Sequence, residues 1–509
     1  MDGPTSSENR PWWQPERSVA AVGVAMVVVG LSTTAVGVAS RGIVDELDVT
    51  LRSLSWIVGG YLLAAATFAL IGGRLGDVIG RTQTFMIGIA VFGGGALLAA
   101  IAPGSRVLIA ARLIQGVGAA LLMPASIELI AAHPPVRGTR LGFRWRGLIY
   151  AVSFGIGPLV GGVLTDYLSW RAIFWLELGL ITIAAVLALP LLRDPSDLPR
   201  PSTRDYGGAV LSSIVVLVGI GSAFGIESWG WVSWPAAVTT VVLGGLIAVL
   251  VRVESRAANP LMHRSLWHNR VVLGANVATI AASIGMLGLI YFFNLFAQSA
   301  AVFDSPALGV AAALAPFAVS IILFARFSEL LARRLGLWGP VLTGLGLAIV
   351  GFAWLSTTSA STTESGLIVP LALCGVGAGI ANGGLTGPAV LSEGRARLDE
   401  AAGMLSLSRF IGSALAIAIG TSTYLSVAVH LDTPDVPVGH GADEVALGGS
   451  AFKEVVAQLG RDLRGPFEAA ARARTAEAFA TTMRVAAVVL LVLTLLSVWL
   501  LRPRRDAPT

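Results

Sequence analysis

Long apolar segments recur along the whole of this 509-residue chain, and they limit the folds that it can adopt. Each segment has about 18 or more mostly apolar residues, which as a helix cross ~30 Å of hydrocarbon. A helix satisfies its own backbone hydrogen bonds in lipid, where water cannot. We therefore predict an all-α polytopic membrane protein with fourteen transmembrane helices. Their approximate bounds are 18–40, 54–73, 83–103, 107–131, 142–165, 171–192, 207–227, 234–253, 270–298, 306–326, 337–357, 367–391, 401–428 and 480–501.

The composition supports this class and excludes others. The chain is 55% hydrophobic and 13% charged, whereas a typical soluble domain is about 25% charged. The basic excess does not indicate nucleic-acid binding, because the arginines lie between apolar segments and no nucleic-acid motif accompanies them. Cys374 is the only cysteine, which excludes a disulfide or a thiolate metal site within the chain. We expect no cofactor and no metal ion.

Arginines concentrate in the loops on one side of the predicted bundle. These loops follow spans 4, 6, 8, 10 and 14 and contain Arg137, Arg140, Arg144, Arg146, Arg193, Arg200, Arg204, Arg252, Arg256, Arg264, Arg270, Arg326, Arg333, Arg334, Arg502, Arg504 and Arg505. Short loops rich in Lys and Arg stay in the cytoplasm. We therefore predict a multi-pass protein of the cell (inner or plasma) membrane with both termini cytoplasmic and segment 429–479 extracytoplasmic.

A polar turn, GGRLGDVIGR, joins the second and third spans. Gly73 and Gly80 allow close backbone approach and unusual dihedral angles. Asp77 can accept hydrogen bonds from the N-terminus of a neighbouring helix, where the helix dipole favours an anion. The alternative interpretation is an ordinary cytoplasmic loop that ends in the basic residue Arg81.

Two further stretches lie inside apolar spans. LIAARLIQGVGAA places Arg112 in the fourth span, with Gln115 one turn later. An arginine is costly in a bilayer, so it normally faces a cavity or a partner; the alternative is a structural arginine that binds helix-end carbonyls. The other stretch, GIGPLVGGVL, contains Gly157, Pro158, Gly161 and Gly162.

Together, these three stretches resemble the signature motifs of the major facilitator superfamily, and the spans after them resemble its fourteen-helix drug:proton antiporter branch. The resemblance implies that Gly73, Asp77, Gly80 and Arg81 form a conformational switch loop. It also implies that Arg112 takes part in proton coupling. Gly157, Pro158, Gly161 and Gly162 match the motif that is typical of antiporters.

The resemblance also implies a domain organisation with two six-helix bundles and two extra helices. The expected parts are a cytoplasmic tail (1–17), an N-terminal bundle (18–192), a linker with two extra spans (193–269), a C-terminal bundle (270–501) that includes segment 429–479, and a cytoplasmic tail (502–509). Phe452, Val455, Val456 and Leu459 have helical spacing, and Gly465-Pro466 is expected to end that short helix. From Pro466, an Ala-rich helix is expected to run into the last span.

The chain departs from the branch at two positions. Ser32 stands where the first helix usually has an acid, and Glu177 stands where an asparagine is usual in the sixth. An intramembrane carboxylate is a functional candidate, although helix 6 is peripheral in this family. Glu177 is thus the leading remaining intramembrane acid for proton coupling, with Asp77 as the alternative.

Several polar residues are candidates for the substrate cavity, namely Ser32, Gln115, Asn294, Asn382 and Arg409. Gln298 is a further polar candidate, and for it and the two asparagines a hydrogen-bonding link between helices is the favoured explanation. Arg409 either faces the cavity or bridges to the Asp77 loop. Because Ser32 replaces an acid while Arg112 and Arg409 remain, we expect a neutral or anionic lipophilic substrate.

Three functions remain open. The first is proton-coupled efflux of small lipophilic drugs or antibiotics by alternating access, from a monomer in the bilayer. The second is export of a lipid or a specific metabolite by the same fold, without obligatory proton coupling. The third is a membrane enzyme or a non-transporting protein; an enzyme is disfavoured, because the five histidines lie in loops or at helix edges.

Overall fold

A computed structural model describes residues 14–132, 155–190, 206–230, 232–257, 263–383, 398–428 and 450–502. Every regular element in these ranges is a helix. The helices are α1 (Gln14–Val38), α2 (Ser40–Leu47), α3 (Leu51–Ile79), α4 (Arg81–Ala100), α5 (Ser105–Ala132), α6 (155–167), α7 (Arg171–Ala188), α8 (Tyr206–Trp229), α9 (Trp234–Arg256), α10 (Arg264–His268), α11 (Arg270–Gln298), α12 (Ala307–Ala313), α13 (Ala315–Phe324), α14 (Phe327–Leu335), α15 (Trp338–Leu355), α16 (Glu364–Gly383), α17 (Leu398–Ala428), α18 (Ser450–Gln458) and α19 (Arg461–Leu501).

The predicted all-helical membrane fold is confirmed. Within the described residues, thirteen helical segments are long and apolar enough to cross a membrane. The fifth predicted span begins among residues outside the described ranges, and its part from 155 to 167 is helical. The count is therefore consistent with fourteen spans.

Helix packing divides the long helices into two groups. In the first, α3 and α4 pack on α5, while α7 packs on α1 and α4. In the second, α17 and α19 pack on α11, while α16 packs on α13 and α15. The groups meet where α17 packs on α3 and where α11 touches α1 and α2. We propose that these groups are the two expected bundles.

The two extra helices lie outside these groups. Helix α8 packs on α3 and α17 and so touches both groups. Trp56 of α3 stacks on Phe224 of α8, with ring centroids 4.9 Å apart. Helix α9 has no buried residue and packs on α8. Its apolar surface therefore suits contact with lipid tails rather than with the protein core.

The segment before the last span differs from the sequence-based expectation. The break lies at Leu459–Gly460, so the expected end of the short helix at Gly465-Pro466 is wrong. Arg464 explains the position of the break, because its guanidinium donates to the carbonyls of Leu459 and Ala457, both at 2.9 Å, where α18 ends. The expected uninterrupted helix into the last span is confirmed, since α19 runs through Pro466 to Leu501.

The glycines of α6 permit unusually close packing. A Cβ atom on Gly161 would lie 2.7 Å from the carbonyl oxygen of Ala35 in α1. A Cβ atom on Gly162 would lie 2.9 Å from the carbonyl oxygen of Ala307 at the start of α12. These two residues therefore let α6 pack against both groups at once.

We expect Gly161→Val to destabilise the protein, because the valine methyls would force α6 away from α1. Overpacking of this kind costs about 1–3 kcal/mol. Thermal unfolding of the detergent-purified protein measures the effect. Gly179→Val in α7 is the matched control, since nothing lies within 4 Å of a Cβ atom there. Equal melting temperatures for the two variants would contradict the close-packing role.

Candidate functional site

Arg112 lies at the centre of the first helix group and is fully buried. Its Nη1 donates to Ser32 Oγ at 2.6 Å and to Gln115 Oε1 at 2.8 Å. Its Nη2 donates to the Ser32 carbonyl at 3.0 Å, and its Nε donates to the Ile57 carbonyl at 3.1 Å. The guanidinium therefore joins three helices, α1, α3 and α5, through one side chain.

Aromatic rings complete the surroundings of Arg112. The guanidinium carbon lies 4.4 Å from the ring centroid of Tyr61 and 5.9 Å from that of Phe174. Ring faces attract a desolvated cation and add to its stabilisation. The sequence did not single out these two residues, because an aromatic residue inside an apolar span is an ordinary packing residue.

Glu177 of α7 is fully buried beside this arginine. Gln115 connects them, since its Nε2 donates to Glu177 Oε2 at 2.7 Å while its Oε1 accepts from Arg112. The family resemblance implied a peripheral sixth helix. Helix α7 exposes Trp175, Ile183 and Val186, but its other side packs on α1 and α4, and Glu177 lies on that buried side. We call Ser32, Arg112, Gln115 and Glu177 the buried polar cluster.

The buried polar cluster has the chemistry of a proton site. The Glu177 carboxylate interacts with the side chains of Gln115 and Ser32, while its Oε1 has no well-formed hydrogen bond among the described residues and can take up a proton. Arg112 stays charged, because a guanidinium is not deprotonated in proteins. Protonation of Glu177 would change the formal charge of the cluster from zero to +1. Such a change has large electrostatic effects away from water.

The turn predicted to be a switch loop is described in part. Gly80 has φ = 97° and makes the turn between α3 and α4, and Arg81 is the first residue of α4. The side chain of Asp77 lies outside the described residues. At Gly73 a Cβ atom would have ordinary space, 4.0 Å from Pro124 Cβ. The close contact lies instead at Gly72, where a Cβ atom would meet the backbone of Ala120 and Leu121 in α5.

The glycine-rich motif of α6 positions the first helix. Gly157 faces Thr34 of α1, and Gly161 faces Ala35. A Cβ atom at either glycine would overlap the facing residue of α1. Pro158 is buried in the same helix, α6. The close approach lies two and three residues beyond Ser32. It therefore fixes the part of α1 that binds Arg112.

The structure does not bring the other predicted cavity residues into the buried polar cluster. Asn294 is buried and Asn382 is half-buried, and each donates to a carbonyl of its own helix four residues earlier. Arg409 is half-buried in α17. An inter-helix link is made by Gln298 rather than by these asparagines, because its Nε2 donates to the Val38 carbonyl of α1 at 2.6 Å.

Comparison with known proteins identifies the family. The sequence model of the Major Facilitator Superfamily matches residues 22–417. The methylenomycin A resistance protein of Streptomyces coelicolor is 32% identical over 410 residues, which cover 79% of this chain and 84% of that protein. The tetracenomycin C resistance and export protein of Streptomyces glaucescens is 28% identical, covering 81% and 75%. The cephamycin export protein of Amycolatopsis lactamdurans is 30% identical, covering 77% and 81%.

A solved structure agrees at the level of the fold. An auto-inhibited POT family peptide transporter superposes with a TM-score of 0.63 at 14% identity, covering 97% of this chain and 99% of that one. The family match and the relatives show that this chain belongs to the major facilitator superfamily, as its three motifs predicted.

We expect Gln115→Leu to destabilise the protein, because it removes a partner from Arg112 and the partner of Glu177 Oε2. Hydrogen bonds to charged groups contribute about 1.5–3 kcal/mol each, so the melting temperature in detergent should fall clearly. Thr67→Val is the control, since Thr67 is buried and its hydroxyl has no partner among the described residues. An unchanged melting temperature for Gln115→Leu would contradict the bridging role.

Proposed function

We propose that this member of the major facilitator superfamily exports small lipophilic compounds, such as antibiotics, in exchange for protons. Three relatives are named for antibiotic resistance or export. The single observation that carries proton coupling is the buried Glu177, bridged to Arg112 through Gln115. The substrate would bind between the two helix groups, as in other transporters of this architecture.

Protonation of Glu177 would act on the bundle through Arg112. In the deprotonated state the carboxylate offsets the guanidinium charge and accepts a hydrogen bond from Gln115. A proton on Glu177 removes that compensation and weakens the bond from Gln115. Arg112 then keeps only uncharged hydrogen-bond acceptors, on Ser32 of α1, the Ile57 carbonyl of α3 and Gln115 of α5. Since α1 and α3 touch the second helix group, the proton can bias how the groups meet.

The expected substrate is neutral or anionic. Ser32 supplies a hydroxyl where relatives of the drug:proton branch have an acid, and the Glu177 charge is offset by Arg112 within the buried polar cluster. A lipophilic cation would therefore find no uncompensated negative charge in the cluster. Strong export of quaternary ammonium dyes by the unmodified protein would contradict this assignment.

We also propose the orientation that the arginine-rich loops indicate. Both termini lie in the cytoplasm of a cell-membrane protein that acts as a monomer. The loop 299–306, helix α18 and the first turns of α19 then lie on the extracytoplasmic side, and Asp77 lies at the cytoplasmic mouth.

We expect Glu177→Gln to abolish coupling, because an amide keeps the shape of the side chain but does not carry a proton. The assay uses proteoliposomes with an imposed pH gradient and a lipophilic antibiotic such as methylenomycin A or tetracenomycin C. The unmodified protein should move the antibiotic against its gradient and dissipate the proton gradient, whereas the variant should do neither.

Glu468→Gln is the control for that assay, since Glu468 is an exposed carboxylate of α19. It should behave as the unmodified protein does. Proton-coupled transport by Glu177→Gln at the unmodified rate would show that another group carries the proton.

The orientation has its own test in a background where the buried Cys374 is replaced by alanine. Cysteines are introduced by Ser361→Cys, between α15 and α16, and by Ser255→Cys, at the end of α9; both serines are exposed. In right-side-out vesicles an impermeant maleimide should label the first and spare the second. Labelling of both positions from one side would contradict the fourteen-span topology.

A further inference from the structure

Asp304 binds two cations from different parts of the chain. Its Oδ1 lies 2.6 Å from Arg41 Nη1, and its Oδ2 lies 3.1 Å from Lys453 Nζ. Arg41 belongs to α2 in the first helix group. Lys453 belongs to α18, and Asp304 itself lies in the loop between α11 and α12 of the second group. The carboxylate therefore sits where the two groups and the extracytoplasmic segment meet.

The loop holds Asp304 in a defined, charged state. Asp304 has φ = 50°, and its N–H donates to the Ser299 carbonyl at 3.0 Å. Partial burial alone would raise the pKa of Asp304, but the hydrogen bonds from Lys453 and Arg41 outweigh it and lower the pKa below its ordinary value. The carboxylate is thus ionised at neutral pH, and Arg41 and Lys453 share its single negative charge.

The contact between the groups extends to the break in the first span. Helix α1 ends at Val38 and α2 begins at Ser40. Gln298 of α11 binds both sides of this break, since its Nε2 donates to the Val38 carbonyl at 2.6 Å and its Oε1 accepts from the Arg41 N–H at 3.2 Å. Nearby, both carboxylate oxygens of Asp166 accept backbone N–H groups of Ala307 and Leu308, at 3.1 and 2.8 Å.

Helix α18 is attached to the second helix group by apolar packing. Phe452 stacks on Phe467 of α19, with ring centroids 5.8 Å apart. These rings belong to a buried cluster that packs against Ala300 and Ala301, in the same loop as Asp304. Lys453 therefore moves with Asp304 when the groups separate. Arg41 moves with the first group, and it keeps Asp45, four residues later, as a neighbour at 3.7 Å.

We propose that the Arg41–Asp304 pair is the latch of an extracytoplasmic gate, and that Lys453, carried by α18, is the cation that releases it. Opening the outer side breaks Arg41–Asp304 while Lys453–Asp304 and Arg41–Asp45 persist. Neither charge is then left unpaired in the open state. The inference rests on the alternating access and the orientation proposed above.

This arrangement predicts that removing the charge of Asp304 and removing the charge of Lys453 have opposite effects on the gate. Without the Asp304 charge, the closed state loses its ion pair across the groups, so the gate opens more readily. Without Lys453, Asp304 would have no cationic partner when the gate opens. In the closed state, Arg41 would no longer be repelled by the positive charge of Lys453. The closed state should then be favoured, so the gate opens less readily.

The experiment measures access to a cysteine behind the latch. Asn294→Cys in the Cys374→Ala background places a thiol at a fully buried position, one helical turn before Gln298. Right-side-out vesicles are exposed to an impermeant sulfonated maleimide, without substrate or pH gradient. Asp304→Asn should raise the labelling rate about two- to fivefold, the scale of a partly exposed ion pair. Lys453→Gln should lower the rate about twofold.

The matched control is Asp48→Asn. Asp48 also has positive φ, 47°, and is exposed, but it forms none of the ion pairs found in the described part of the chain. Its labelling rate should equal that of the parent. A parental rate in Asp304→Asn would overturn the latch, and an increased or unchanged rate in Lys453→Gln would overturn the release role. A loss of proton coupling in Glu177→Gln does not enter this readout, so the two proposals fail separately.

Discussion

A single buried guanidinium constrains the first helix group. The charge of Arg112 is stable away from water only if several oxygens and a counter-charge surround it. Ser32, Ile57 and Gln115 supply those oxygens, and Glu177 supplies the counter-charge at the end of the Gln115 bridge. Four helices must therefore keep their register for the arginine to stay satisfied. A change in the charge of Glu177 reaches all four of them.

Helix α1 connects the buried polar cluster to the outer latch. Ser32 binds Arg112 within α1, and Gln298 binds the Val38 carbonyl at the end of the same helix and the Arg41 N–H in α2, beyond the break. Ser32 and Val38 are six residues apart, or about 9 Å along the helix. The glycines of α6 pack against α1 between them. A displacement of α1 at the cluster would therefore act on the contacts with Gln298 beside the proposed latch.

The sequence predicted the parts of this account that depend on local pattern. Apolar length identified the spans, and three motifs, which contain Arg112, Gln115 and the α6 glycines, identified the family. The inward orientation of Glu177 could not be predicted, because it depends on the packing of α7 on α1 and α4. A local sequence pattern does not show that packing. The proposed latch joins Arg41 of α2 to Asp304, 263 positions later in the chain, and neither local stretch carries a motif that predicts this contact. The sequence pattern did not predict the break at Gly460, because the residue that caps α18 there, Arg464, belongs to the next helix.

The most direct test of the account asks whether Glu177 holds the exchanged proton. Purified protein in weakly buffered detergent solution is mixed with a transported antibiotic, and a pH indicator follows proton release on binding. If Glu177 holds that proton, the unmodified protein should release about one proton per bound molecule, since substrate and proton compete in an antiporter. Glu177→Gln should bind the antibiotic and release none. Equal proton release by the two proteins would contradict the central role of Glu177.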